Sequence, residues 1–187
     1  MGAGRRGSLI NASKLSDSLG VSSYTVRSYI DLLEHTFMVR VLLPDAPNLK
    51  KRLVKSPKIY LRDSGILYAL LDIHTDDDLL SHPILGASFE GFAMENILAY
   101  AENYEPSFYR TSAGAEIDLI LRRGRHTLAF ELKSSVVPRI SKGFWHALDD
   151  ISSDEAYVVA PVKESYPMKG HVMVTPLHEI IAKLREG

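Results

Sequence analysis

Two neighbouring stretches with alternating side chains constrain the fold of this chain more than any other feature. Residues 115–121 (AEIDLIL) and 126–133 (HTLAFELK) each place an apolar side chain at every second position. Alternation with a period of two is typical of β-strands, and the RRGR sequence at 122–125 provides a turn between them. We therefore predict a β-hairpin with one apolar face and one face that carries charged side chains.

The register of this hairpin decides which charged side chains meet. A two-residue loop at Arg123–Gly124 pairs Asp118 with Ala129 and leaves Glu131 and Lys133 on the same face as the aspartate. A three-residue loop would instead place the aspartate opposite a phenylalanine of the apolar face. The shared polar face therefore depends on a tight turn or on a compensating bulge.

Two carboxylates and a lysine on one sheet face match the needs of metal-assisted phosphodiester hydrolysis. Carboxylate oxygens are hard ligands that suit Mg²⁺ or Mn²⁺. A bound ion polarises a phosphoryl oxygen and lowers the pKa of a water, while a nearby lysine stabilises developing charge. The alternative is an exposed salt-bridged cluster, worth about 0 to 1 kcal/mol per pair. The apolar run at 156–160 (AYVVA) favours a sheet that is covered on both faces. Carboxylates in such a sheet are costly to bury unless they are paired or bind a metal ion, which favours the metal site.

The first part of the chain has the pattern of a winged helix-turn-helix. Short amphipathic helices are predicted at 12–19 and 22–33 with a glycine turn between them, and strands are predicted within 36–43 and 53–61. A further short helix is predicted at 65–71. Two crossing helices followed by two strands indicate a small domain of the winged-helix type.

Charge in this first part favours a nucleic-acid partner. Residues 1–72 carry eleven Lys and Arg against six Asp and Glu, whereas residues 73–187 carry eleven against seventeen. Tyr24 and Arg27 on the exposed side of the second helix suit a phosphate-lined groove. A cluster of six cations extends the predicted interface: Lys50, Lys51, Arg52, Lys55, Lys58 and Arg62. The cluster would neutralise several phosphates, although solvated cations on a protein-docking module give the same pattern.

The predicted organisation is a winged helix-turn-helix module at 1–72, a linker at 73–83 and an α/β domain at 84–187. The α/β domain begins with an amphipathic helix at 86–100 and continues into the hairpin. Its remaining elements are a strand at 106–111, a helix at 141–150, strands at 155–160 and 171–175, and a helix at 177–184. This order predicts a sandwich with a mixed central sheet.

Composition excludes several other classes of function. The chain has no Cys, which excludes disulfides, thiol catalysis and thiolate zinc sites. No apolar run approaches the roughly 18 residues of a membrane span, so we expect a cytoplasmic protein without a membrane partner. A GxGxxG match begins at Gly2 but follows no strand, and Ser8 stands where a Walker A motif needs Lys. No ATP site is expected in this chain.

Several of these motifs together resemble a known family. The helix GASFEGFAMEN and the strands GAEIDLIL and FELKSS resemble the PD-(D/E)XK nuclease superfamily. With TVRSYIDLLE and VKSPKIYLRDSGI, they resemble more closely the uncharacterised domain found C-terminal to prokaryotic AAA+ type ATPases. The resemblance covers nearly the whole chain and implies a winged helix joined to a nuclease-like domain. The ATPase module of that family is absent from this sequence, so we expect a fragment or a free-standing C-terminal portion.

The resemblance also implies roles for individual residues. Asp118 and Glu131 would bind the metal ion, and Lys133 would be the catalytic lysine. Glu90 would be the helical acid that completes the metal site, with Glu95 as the alternative. The two glutamates are five positions apart on a helix and cannot both face one ion equally well. Arg110 at the end of the preceding strand would meet a phosphate or form a surface ion pair, and Glu116 would tune the charge of its neighbours.

Three functions follow as hypotheses. The first is a metal-dependent nuclease-like domain that hydrolyses DNA phosphodiesters in association with an AAA+ ATPase. The second is a catalytically silent nuclease fold that binds DNA or protein. The third is a winged-helix transcription regulator that reads duplex DNA through Tyr24 and Arg27. The sequence leaves the oligomeric state and the choice between DNA and RNA open.

Overall fold

A computed structural model describes residues 12–45 and 53–186 of the chain, and these residues form two compact units. Unit 1 contains the described residues 12–43 and 56–92. Unit 2 contains residues 44–45, 53–55 and 93–186. Neither unit is one continuous stretch of sequence, because the short segment between the two strands of unit 1 belongs to unit 2.

Unit 1 contains the two predicted helices and the two predicted strands. Its elements are α1 (Ala12–Leu19), α2 (Ser23–His35), β1 (Val39–Leu42), β2 (Lys58–Leu61), α3 (Ser64–Leu70), α4 (Asp76–Ser81) and the start of α5 (Leu85–Leu98). The Ser22 side chain accepts a hydrogen bond from the Thr25 amide at 3.0 Å and so caps α2. Strands β1 and β2 pair antiparallel, with Val39 opposite Leu61. These elements confirm the predicted order of helices and strands.

The predicted linker at 73–83 is partly helical. Its three consecutive aspartates form the first turn of α4. Negative side chains are stabilising there because the N-terminus is the positive end of the helix dipole. Thr75 and Asp78 cap this turn reciprocally, and the hydrogen bond from the Thr75 side chain, followed by those from the backbone, holds the pKa of Asp78 below its usual range. The two compact units divide after Phe92, inside α5, and the predicted domain bounds stay a prediction.

Unit 2 is built on a six-stranded mixed sheet. Its elements after α5 are β3 (Glu105–Arg110), β4 (Glu116–Arg123), β5 (His126–Leu132), α6 (Lys142–Ile151), β6 (Glu155–Val159), β7 (Tyr166–Pro167), β8 (Val172–Thr175) and α7 (Leu177–Glu186). The strand order is β3-β4-β5-β6-β8-β7, with parallel pairing of β5 with β6 and of β6 with β8. The prediction of an α/β chain with a mixed sheet is confirmed. None of the helices in the described ranges is long and apolar enough to span a bilayer.

The central hairpin has a different loop from the predicted one. Arg123 pairs with His126, so the loop consists of Gly124 and Arg125, and Gly124 has a φ of 61°. Glycine at the first loop position is typical of a type II′ turn, whereas the predicted loop put it second. The register therefore moves by two residues, and its continuation sets Asp118 opposite Glu131 rather than opposite an alanine. A shift of two keeps every side chain on its predicted face.

A short segment between β1 and β2 covers the edge of the sheet in unit 2. We call residues 44–45 and 53–55 the strap. Pro44 forms a bridge with Phe108, and Leu53 forms one with Thr111. The Asp45 amide donates to the Phe108 carbonyl at 2.6 Å, and the Asp45 carboxylate accepts from Arg122 at 2.7 Å. The strap thereby satisfies backbone groups that an edge strand otherwise exposes.

Helix α6 packs on the sheet through its buried side chains Phe144, Ala147, Leu148 and Ile151. The approach is close at its first turn, where a Cβ on Gly143 would lie 2.3 Å from the Gly114 carbonyl oxygen. Only glycine allows this contact, because the neighbour is backbone and cannot rotate away. The helix thus meets the turn between β3 and β4.

Replacing Gly143 by alanine tests this contact. Gly143→Ala forces α6 away from the 111–115 turn, and we expect a loss of about 1 to 3 kcal/mol in the free energy of unfolding, measured by urea denaturation. Lys142→Ala at the neighbouring exposed position is the matched control and should change stability little. Equal stability of Gly143→Ala and the unchanged protein would contradict the close packing of α6.

Candidate functional site

Two buried carboxylates of unit 2 meet one lysine at an end of the sheet. Asp118 lies on β4, Glu131 lies on β5, and Lys133 follows the last residue of β5. Strands β4 and β5 are antiparallel neighbours, so the start of β4 and the end of β5 share this end. The predicted convergence of these three residues is therefore present in the structure.

The lysine ammonium contacts three oxygen atoms. Lys133 Nζ lies 3.9 Å from Asp118 Oδ2 and donates to Glu131 Oε1 in a close ion pair. It also donates to the Leu132 carbonyl at 3.4 Å. The Leu132 amide in turn donates to Asp118 Oδ2 at 3.0 Å, which fixes the position of that carboxylate. One cationic centre is thus surrounded by two carboxylate oxygens and a backbone carbonyl.

Burial distinguishes this group from an ordinary surface ion pair. Asp118 and Glu131 are 3% and 2% exposed, and the Lys133 side chain is 17% exposed. Burying a carboxylate is costly unless charge and hydrogen bonds compensate for the lost water. Two carboxylates and one ammonium therefore share a place from which water is largely excluded.

The oxygen atoms at Lys133 fit a magnesium-like ion. Mg²⁺ in proteins is held by one or two carboxylates and completes its coordination with waters and substrate phosphates. Asp118, Glu131 and the Leu132 carbonyl offer such hard oxygen donors. Within residues 12–45 and 53–186, no group of three or more His, Asp or Glu side chains is placed to hold a metal ion. The fit is therefore to a partly hydrated ion rather than to a fully enclosed one.

The predicted helical acid Glu90 has partners within unit 1. Its Oε1 accepts from Lys58 Nζ at 3.2 Å and from the Tyr60 hydroxyl at 2.5 Å, and the glutamate is 4% exposed. Lys58 and Tyr60 lie two positions apart on β2 and so share a strand face. Glu95 is half-buried in the part of α5 that belongs to unit 2. The assignment of either glutamate to the metal stays a prediction.

The structure corrects the prediction for Lys58. It is fully buried and paired with Glu90, so it cannot reach a phosphate from solvent. The sequence shows Lys58 and Tyr60 alternating with apolar Ile59 and Leu61, as on a half-exposed strand, yet the first three residues of β2 are all buried in the structure. A cation in such a strand needs an internal acid.

The other predicted nucleic-acid contacts divide into four groups. Tyr24 and Arg27 are exposed on α2, and Lys55 is exposed on the strap. Arg110 is one-third exposed and pairs with Glu116 across β3 and β4 at 3.7 Å. Arg62 stacks over the Phe37 ring at 5.6 Å. The last group lies outside the described residues: Lys50, Lys51 and Arg52.

The Lys58–Glu90 pair yields a stability test. Lys58→Met removes the cation beside a buried carboxylate, so we expect a loss of about 3 to 5 kcal/mol in the free energy of unfolding. The double variant Lys58→Met/Glu90→Met should regain most of this loss, because both charges leave together. Urea denaturation measures both values. If Lys58→Met unfolds like the unchanged protein but binds DNA more weakly, Lys58 is a phosphate contact after all.

Comparisons with known proteins show which family the chain belongs to. Residues 85–180 match the family model described as Domain of unknown function (DUF4143), and residues 1–77 match Domain of unknown function (DUF8612). The uncharacterised proteins Mb2031c of Mycobacterium bovis and Rv2008c of Mycobacterium tuberculosis are each 35% identical over 175 residues, which is 94% of this chain. The chain spans only 40% of the length of these curated relatives.

A solved assembly of Thermococcus gammatolerans McrB AAA+ hexamers with bound McrC also has some likeness to the chain. The identity is 9%, the match covers 86% of this chain and 64% of that one, and the TM-score is 0.39. A TM-score this low supports no conclusion about fold or function. The family match is firmer, because the model at residues 85–180 covers more than half of the chain. The chain therefore belongs to the DUF4143 family.

Proposed function

We propose that unit 2 is a metal-dependent nuclease-like module of an ATPase-associated protein and that it hydrolyses DNA phosphodiesters. The observation that carries the proposal is the convergence of Asp118 and Glu131 on Lys133 Nζ at the end of the sheet. Two buried carboxylates around one cationic position are a costly arrangement for stability alone. Metal-assisted phosphoryl chemistry gives a reason for it.

Each residue of the proposed site has its own role. Asp118, Glu131 and the Leu132 carbonyl would hold the ion, and the Leu132 amide keeps the aspartate oriented. A bound Mg²⁺ or Mn²⁺ supplies charge stabilisation at the phosphate and a water of lowered pKa. Lys133 is partly exposed, so its ammonium can turn from the carboxylates toward the incoming phosphate. There it orients the water and neutralises negative charge that develops in the transition state.

Unit 1 is proposed to bring DNA to this module as a winged helix. The support is the sequence of two helices and a two-stranded antiparallel sheet, together with exposed side chains on α2. Tyr24 is 78% exposed, and Arg27 is exposed beside it on the same helix. A helix of this kind presents its outward face to a groove, and its cation meets a phosphate.

The association with an AAA+ ATPase belongs to the same proposal. Family membership supports it, and the relatives are long enough to include further modules, since this chain spans 40% of them. An ATPase would move DNA past the nuclease-like module or control its access. A cytoplasmic location is part of the same proposal, because a DNA substrate would be met there.

One observation favours a second candidate, a catalytically silent module. Both carboxylates are at most 3% exposed, and Lys133 already occupies the space between them. A protein that has lost its metal would retain this cluster as an internal ion pair. Such a module would bind DNA or a protein without cutting it.

Cleavage of plasmid DNA by the full chain with Mg²⁺ or Mn²⁺ tests the first candidate. Asp118→Asn, Glu131→Gln and Lys133→Met should each lower the nicking rate by about a hundredfold or more, because each removes a ligand or a charge needed in the transition state. Glu116→Gln is the matched control, since it neutralises a buried carboxylate on the same strand but leaves the three converging groups intact. Thermal unfolding of each variant shows that the fold is retained.

Two outcomes would contradict the nuclease proposal. Nicking that survives in all three variants would assign the activity elsewhere. Absence of both nicking and saturable Mn²⁺ binding, measured by calorimetry with the unchanged chain, would establish the silent module.

Binding of duplex DNA tests the role of α2. Arg27→Gln should reduce the slope of log affinity against log salt by about 1, because one phosphate contact is lost. Arg185→Gln on α7 is a suitable control, since its guanidinium stacks on Tyr100 within unit 2. Fluorescence anisotropy at several salt concentrations gives the slope. An unchanged slope for Arg27→Gln would remove α2 from the DNA interface.

A further inference from the structure

The segment that follows Lys133 exposes two adjacent apolar side chains. Residues 134–141, here called the site loop, follow Lys133 directly and lead to α6. Val136 and Val137 are 65% and 72% exposed at its tip. Two adjacent valines at one tip form a small apolar patch that is open to contact with another molecule.

The site loop crosses the end of the sheet that carries Asp118 and Glu131. It begins where β5 ends, and it finishes at the first turn of α6, where Gly143 meets the turn between β3 and β4. The start of β4 lies between these two points, because β4 pairs with β3 on one side and with β5 on the other. Both ends of the site loop therefore lie at the end of the sheet that carries the proposed reaction centre.

The site loop is held in a defined shape. Pro138 is buried, and Ile140 packs against the hydrophobic core of unit 2. The Ser135 hydroxyl accepts from the Val137 amide at 3.2 Å and donates to the Val137 carbonyl at 3.1 Å. The two valines are thus presented outward by a loop that is anchored after its tip and cross-linked within it. A preorganised surface of this kind loses little entropy on binding.

The charge around the tip selects the class of partner. Residues 133–142 contain the cations Lys133, Arg139 and Lys142 and no acidic residue, and Arg139 and Lys142 are exposed. A nucleic acid matches both properties, since it offers phosphates to the cations and base faces to the apolar tip. Base faces are covered by stacking in an intact duplex and become accessible when the strand is unpaired.

We propose that the site loop binds an unpaired base next to the scissile phosphate, which makes single-stranded or locally melted nucleic acid the preferred substrate. Val136 and Val137 contact the base, and Arg139 contacts the neighbouring phosphate. The proposal rests on the proposed function of unit 2 and names its substrate form. It assigns the site loop a role in choosing the substrate, while Asp118, Glu131 and Lys133 keep the chemistry.

Binding measured in EDTA tests this proposal separately from catalysis. The full chain is titrated against a fluorescein-labelled single-stranded DNA 20-mer and against the blunt duplex of the same sequence. We expect Val136→Ser/Val137→Ser to weaken single-strand binding by about tenfold, because apolar contact with the base is lost, and to weaken duplex binding by less than about twofold. Arg139→Gln should lower the salt slope for the single strand by about 1.

Tyr166→Ser is the matched control for loss of an exposed apolar side chain. Tyr166 is 41% exposed on β7, which is separated from β5 by two strands, so this variant should bind the single strand like the unchanged protein. Unchanged single-strand binding in the double valine variant would overturn the proposal, and so would an equal loss for single strand and duplex.

The two proposals fail in different ways. Weaker single-strand binding by the valine variant, with no cleavage by any form of the protein, keeps the site loop as a contact and removes the nuclease. Cleavage by the unchanged protein, with equal single-strand affinity of the valine variant, keeps the nuclease and removes the site loop.

Discussion

The ion pairs of the Lys133 ammonium with Asp118 and Glu131 are the interactions on which the proposed site of unit 2 depends. The ammonium lies against two carboxylates that the sheet has removed from water, and it reaches them because β4 and β5 place Asp118 and Glu131 on one face. Without that positive charge, burial of two neighbouring anions would be strongly unfavourable. The same electrostatic demand makes the place receptive to a divalent ion, so stability and the proposed chemistry arise from one arrangement.

Much of this site was predictable from the alternation of side chains in residues 115–133. Period-two alternation determines the face of each residue, and a register error of two leaves those faces unchanged. The exact partner of Asp118 was not predictable, because Gly124 serves a type II′ turn as well as a type I′ turn. The contribution of the Leu132 backbone was also out of reach, since main-chain groups leave no trace in the residue pattern.

The predicted cation cluster shows where local patterns fail. Among its members within the described residues, Lys58 is buried, Arg62 stacks on Phe37 and Lys55 is exposed. The environment of Lys58 is set by a residue distant in sequence, because its ammonium pairs with Glu90, thirty-two positions away. The chain belongs to the DUF4143 family, whereas the winged helix, the PD-(D/E)XK nuclease-like domain and the roles that the resemblance implies for single residues remain proposals.

The strap does not follow the boundary between the two matched families. Family models divide the chain between residues 77 and 85, yet the segment that closes the sheet edge at β3 is encoded inside the region assigned to the first model. A gene fusion that joined the second family to a different upstream partner would leave that edge bare and prone to self-association. The sheet of unit 2 therefore uses residues from both of the matched regions.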